Sequence, residues 1–135
     1  MDRILSAMKA MALILIVLLA VGIFLVRRAM ALPLGEAYER VTAGNAVLID
    51  VREPSEWQNG VAEPAVLLSL SDLRGARTGW TEFLAANKDK ELILYCRSGN
   101  RSGIAAGILR KEGFRVENAG GFSRWKSAGL PVRQP

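Results

Sequence analysis

The residue types that could do chemistry in this 135-residue chain gather around a single sulfur. Cys96 is the only cysteine, and it opens the segment Cys96-Arg97-Ser98-Gly99-Asn100-Arg101-Ser102. An apolar run, Glu91-Leu-Ile-Leu-Tyr95, leads into it, and a helix is predicted from Ser102 to Lys111. A cysteine between a strand end and a helix start sits where a thiolate is stabilised. Successive loop N–H groups converge there as an anion nest, and the helix N-terminus adds positive potential. Arg97 and Arg101 add two cations, and Gly99 lets the loop turn tightly. Each effect favours the charged sulfur, so the thiol is expected to ionise below its free value and to be an exposed, ready nucleophile. A lone cysteine is more often a small buried hydrophobe. The flanking Arg, Ser, Gly and Asn residues argue against that here. Arg97 taken alone reads equally well as an ordinary solvated residue.

Composition removes the competing chemistries. There are no histidines. A Cys–His or Ser–His–Asp hydrolase therefore lacks its base, and a Cys/His zinc site lacks its ligands. A single cysteine cannot form an internal disulfide. No Cys/His metal site is expected. Half of the residues are apolar and 23% are charged, which excludes disorder. The net charge of +5 does not imply nucleic acid, because Arg3, Lys9, Arg27 and Arg28 flank one apolar segment. From Leu32 onward there are 14 Lys/Arg and 12 Asp/Glu, a mixed-sign surface without an aromatic-studded basic run.

The elements that must position Cys96 begin after Leu32-Pro33. Pro33 opens a helix with Leu34, Tyr38 and Val41 on one face, and Gly44 ends it. Strands are predicted at 46–50, 65–68, 91–95 and 115–117. Helical segments are predicted at 54–59, at 78–87 with Trp80, Phe83 and Leu84 on one side, at 102–111 with Ile104, Ile108 and Leu109 inward, and at 122–128. Gly113 ends the third of these, and Gly129 and Pro131 the last. Strands alternating with helices imply a small α/β domain over 32–135, a parallel sheet covered on both faces. No internal repeat or low-complexity tract is present.

Residues 1–31 form a separate segment. Ala10 to Val26 is an unbroken run of 17 apolar or small residues. It is long enough for a short transmembrane helix and has no polar stripe. It is read as a single-pass N-terminal anchor over about 10–26. A cleaved signal peptide with export is the alternative, since Ala29-Met30-Ala31 has the form of a cleavage site. A buried core helix is the third reading. The flanking charges are too balanced to fix orientation. The cytoplasmic side is favoured because an exposed low-pKa thiol is kept usable by a reducing compartment.

The seven residues from Cys96 to Ser102 resemble the active-site loop of single-domain rhodaneses, the sulfurtransferase family. Leu48-Ile-Asp-Val-Arg52 followed by Glu56-Trp57 is similar to that family's Asp-Val-Arg strand end. Gly120-Gly121-Phe-Ser-Arg-Trp125, continuing to Gly129-Leu-Pro-Val132, resembles its C-terminal signature. The likeness runs from about Pro33 to Val132. The family's usual histidine after the acidic-aromatic pair is replaced here by Val61. The resemblance implies a Cys96 that takes sulfane sulfur from a donor such as thiosulfate or a persulfide. It would then pass that sulfur to cyanide or to a thiol, including one on a protein, with no metal or organic cofactor. In this reading Arg97, Ser98, Gly99, Asn100, Arg101 and Ser102 form the substrate loop, and Asp50 and Arg52 brace it; the alternative for these two is a buried structural ion pair at a strand end. Trp57, Leu73 and Trp80 are candidate pocket walls. The related dual-specificity phosphatases carry a loop one residue longer and a histidine before the cysteine, so phosphatase activity is not expected. A tethered persulfide carrier or interaction module without turnover is the alternative function.

Overall fold

The computed structural model describes residues 1–29 and 32–135. They fall into two compact units, Met1–Met30 and Ala31–Pro135. The first unit is one helix, α1 (Asp2–Ala29), which begins well before the apolar run. Met, Leu, Ala, Arg and Lys are all strong helix formers, so the flanking charges do not interrupt it. Its segment Asp2–Ile23 has a mean hydropathy of 2.6, with none of that surface buried. The helix is therefore long and apolar enough to cross a membrane. A core helix would bury such side chains, and among the described residues the Asp2–Ile23 segment buries none. Two residues of the Ala29-Met30-Ala31 site lie outside the described residues.

The second unit starts with Pro33 at the N-cap of α2 (Leu34–Thr42). There follow β1 (Ala46–Asp50), α3 (Pro54–Trp57), β2 (Val61–Ala62), β3 (Val66–Leu67), α4 (Leu70–Arg74), α5 (Trp80–Ala86) and β4 (Glu91–Cys96). The chain ends with α6 (Asn100–Lys111), β5 (Val116–Gly121), α7 (Phe122–Ser127) and β6 (Val132–Arg133). The main sheet has the order β3-β1-β4-β5, and every pairing is parallel. β2 and β6 form a separate antiparallel ribbon.

The two central strands decide which way the cysteine faces. Side chains alternate across a strand. In β1 and β4 this sends Ile49, Leu92, Leu94 and Cys96 to one face, against Leu73, Trp80, Ala105, Ala106 and Leu109. Leu48, Ile93 and Tyr95 go to the other, against Ala37, Phe122 and Trp125. Both faces are covered, as a parallel sheet requires. Cys96 therefore lies on the face that carries α6.

Several elements differ from their sequence reading. Helix α6 starts at Asn100 rather than Ser102. Its buried stripe is Ser102, Ala105, Ala106 and Leu109, spaced i, i+3, i+4, i+7. Ile104 is not inward: it is 43% exposed. The smaller Ala pair lets the helix backbone approach the sheet, and Ile104 is turned out on the adjoining stripe while Ile108 is only partly buried. β5 continues past 117 to Gly121. Glycines usually weaken a strand, but here the strand needs their bare backbone (below). Helix α4 is missed by apolar periodicity, although the Ser69 side chain accepts from the Asp72 N–H as an ordinary N-cap. The two-residue strands of the ribbon are too short to leave a periodic signal.

Candidate active site

Cys96 is the last residue of β4, paired in register with Gly121. Its sulfur is not exposed, contrary to the sequence expectation; the residue is fully buried. The reason is its parity in β4, which points it at α6 rather than at solvent. The surroundings are nevertheless not those of a passive core thiol. The Gly99 N–H donates to Sγ at 3.0 Å, and the Ser102 hydroxyl lies 3.5 Å away. Burial pushes the thiol up. The Ser102 hydroxyl and the backbone amides of Ser102, Ser98 and Gly99 outweigh it, so the Cys96 thiol lies below its ordinary value.

Two backbone constraints shape this cradle. Gly99 sits at φ +95°, where a side chain is strained, and a Cβ there would come within 3.2 Å of the Gly120 Cα. A Cβ on Gly121 would overlap the carbonyl oxygen of Arg97. The end of β5 thus passes so close beneath the cysteine loop that it carries no side chain. Asn118, two residues before this pair, bonds Ser102, Gly120 and Gly99 together. The sequence reading did not single it out.

Of the two loop arginines, one is held in an ion pair. Arg101, in the first turn of α6, forks onto Glu56 with bonds of 2.6 and 2.8 Å. The Arg101 guanidinium holds the Glu56 carboxyl down at about 2 despite the opposing effect of partial burial. The same pairing raises Arg101. Glu56 is fixed in turn by the N-terminal box of α3, where it accepts from the Glu53 N–H at 2.9 Å. Arg101 therefore spends its donors on a carboxylate rather than on the sulfur. Arg97 is exposed and makes no ion pair among the described residues. The hydrogen bonds to Sγ come from amides and a hydroxyl, and the Arg101 charge is close enough to attract the thiolate without bonding to it. Ser98 and Asn100 are exposed at the loop surface, and Ser102 is buried beneath it.

Among the described residues Asp50 and Arg52 make no hydrogen bond to the 96–102 loop. They form a buried pair, with Arg52 Nη2 2.7 Å from Asp50 Oδ2, and Arg52 also donates to the Gly60 carbonyl at 2.8 Å. Its guanidinium lies over the Phe122 ring at 4.3 Å. The Tyr95 hydroxyl donates to Asp50 Oδ2 at 2.5 Å and accepts from the Ala62 N–H at 3.0 Å. This network fixes Tyr95, the residue before the cysteine, and the 56–62 segment that carries Glu56. Val61, at the histidine position of the resemblance, is fully buried in β2 opposite Arg133. Leu73 and Trp80 are core residues, not pocket walls; the Trp80 indole N–H is tied to the Ser69 carbonyl. Trp57 is half-buried in the last turn of α3, beside Glu56. Among the described residues no group of three or more metal-ligating side chains is placed to hold an ion.

The comparisons with known proteins agree with this architecture. The model of the rhodanese-like domain matches residues 34–128. A protein named sulfurtransferase from Allochromatium vinosum is 32% identical over 93 residues, covering 67% of this chain and 81% of its own length. The uncharacterized protein slr1261 of Synechocystis is 39% identical over 88 residues, which cover 64% of this chain but only 46% of that longer protein. Among solved structures, the human single-domain sulfurtransferase TSTD1 matches with a TM-score of 0.61 at 26% identity, covering 73% of this chain and 96% of its own. The chain belongs to the rhodanese-like domain family.

Proposed function

We propose that this member of the rhodanese-like family is a membrane-tethered sulfurtransferase that carries sulfane sulfur on Cys96. The observation that supports this most is the convergence of the Ser98, Gly99 and Ser102 amides and the Ser102 hydroxyl on one sulfur. The Cys96 thiolate attacks the outer sulfur of a donor such as thiosulfate. A new S–S bond forms to Sγ, the donor's own S–S bond breaks, and sulfite leaves with the electron pair. An acceptor nucleophile, cyanide or a thiolate, then attacks the outer sulfur and returns the Cys96 thiolate. A preformed thiolate needs no general base, so a chain without histidine can run both steps. The outer sulfur stays within reach of the loop amides, which act as fixed donors to developing charge. With Arg101 bound to Glu56, Arg97 is the loop cation left to attract an anionic donor.

Helix α1 supplies the anchor in this reading, with the 32–135 domain on the cytoplasmic side, where a reducing compartment keeps a low-pKa thiol usable. A reporter fused at Pro135 that is active only outside the cytoplasm would contradict that orientation. The enzymatic reading is tested by turnover. Thiosulfate plus cyanide should yield thiocyanate with the wild type and none with Cys96→Ser. Sulfur loading without thiocyanate would mark a carrier instead.

A further inference from the structure

We propose that Asn118 is a positioning residue for the Cys96 nucleophile, holding the Ser102 hydroxyl and the Gly99 carbonyl so that the loop stays closed around the sulfur. This rests on the reading of Cys96 as the sulfur-carrying thiolate. The Asn118 amide is used three times. Its Oδ1 accepts from the Ser102 hydroxyl at 2.8 Å and from the Gly120 N–H at 2.9 Å. Its Nδ2 donates to the Gly99 carbonyl at 2.9 Å. The strand is irregular at this point: Leu94 pairs with Asn118, but Tyr95 pairs with Gly120, which leaves Ala119 as an extra residue. Gly120 takes φ +84° to allow it. The side chain of Asn118 can thus bond its own strand and the cysteine loop together.

Both contacts to the loop lead to the sulfur. Gly99 offers its N–H to Sγ and its carbonyl to Asn118. Ser102 is fully buried and its hydroxyl has one proton to give. That proton lies between Asn118 Oδ1 at 2.8 Å and Sγ at 3.5 Å. The bond to Asn118 holds the Ser102 side chain in the orientation that keeps its hydroxyl beside the sulfur, where a charged sulfur can share it. The Nδ2 bond holds Gly99 where its N–H meets Sγ. Loss of Asn118 therefore releases both donors from the sulfur. The other charged and titratable groups packed near the site are the Arg101–Glu56 pair of α6 and α3, Arg97 in the loop, and the Asp50–Arg52–Tyr95 cluster on the opposite face of the sheet. None of them bonds to Asn118 or Ser102.

The test is the rate of iodoacetamide alkylation of Cys96 in the full-length protein, followed from about pH 5 to about pH 10 by mass spectrometry. Ser102→Ala is expected to move the midpoint upward and to slow alkylation near neutral pH by roughly tenfold. Asn118→Ala and Asn118→Asp should do likewise. The Asp variant keeps the size and the Oδ1 acceptor, loses the donor to Gly99 and adds a repelling charge. The plateau rate at high pH should not change, whereas a collapsed or opened loop would move it. Because Asn118 acts partly through Ser102, the double variant should be slowed clearly less than the product of the two single effects. Midpoints equal to wild type in both Asn118 variants, or a fully multiplicative double variant, would overturn the proposal. A wild type that titrates as an ordinary thiol would instead sink the reading of Cys96 as a preformed thiolate, and this inference with it.

Discussion

Replacing Glu56 by Gln should cost stability in a way that depends on pH. The Glu56 carboxyl is held at about 2, against an ordinary 4.5, chiefly by the Arg101 fork. At about 1.4 kcal/mol per pH unit, that difference corresponds to at most about 3 kcal/mol of stabilisation at neutral pH. The two side chains are 30% and 28% exposed, and solvent screening reduces this to about 1–2 kcal/mol. The carboxyl is depressed in the folded chain, so its contribution is complete above about pH 4.5 and is lost as pH falls towards about 2. Urea unfolding followed by tryptophan fluorescence measures it. Trp57, Trp80 and Trp125 are the only tryptophans and all lie in the Ala31–Pro135 unit, so α1 does not contribute to the signal. Wild type should exceed Glu56→Gln by about 1–2 kcal/mol at neutral pH, and the gap should fall to roughly half near pH 3. A gap of the same size at both pH values would refute the argument, because it would assign the loss to packing rather than to the ion pair.

Two further substitutions probe the scaffold. Gly121→Ala should destabilise the protein by about 1–3 kcal/mol, since its methyl overlaps backbone that has little freedom to move. It should also abolish sulfur loading. Gly107→Ala, with open space around it in α6, should be neutral or stabilising by up to about 1 kcal/mol, and equal losses at the two sites in thermal melts would count against this steric account. Tyr95→Phe should cost about 1–3 kcal/mol by leaving the buried Ala62 N–H unpaired. Because Tyr95 points away from Cys96, the pH profile of cysteine alkylation should stay where it is in wild type; a shifted profile would show that the two faces are coupled.

Much of this molecule was legible from residue order alone. The apolar runs at Ala46 and Glu91 announced the two central strands, and Pro33 and Gly44 bracketed α2, because those signals are local. The Cys96–Ser102 segment was legible for the same reason: its amides converge through the conformation of the loop itself. What stayed hidden depends on contacts between distant parts of the chain. Arg101 meets Glu56 across 45 residues, so a loop cation expected near the sulfur is also half of an ion pair. Asn118 reaches the loop only through an irregularity in β5 that no periodicity reveals. The burial of Cys96 follows from its parity in β4, yet the polar residues after it suggested exposure. Ile104 was placed inward by its hydrophobicity, while the sheet selected the smaller Ala105 and Ala106.

Sulfur transfer by this chain requires that one sulfur atom be taken up by one residue. Mass spectrometry of the full-length protein after incubation with thiosulfate, followed by fragmentation, tests it most directly. The expected result is a gain equal to one sulfur atom, mapped to Cys96, removed by cyanide and absent from Cys96→Ser. An unchanged mass in a folded wild type, with thiosulfate and with an organic persulfide alike, would contradict it.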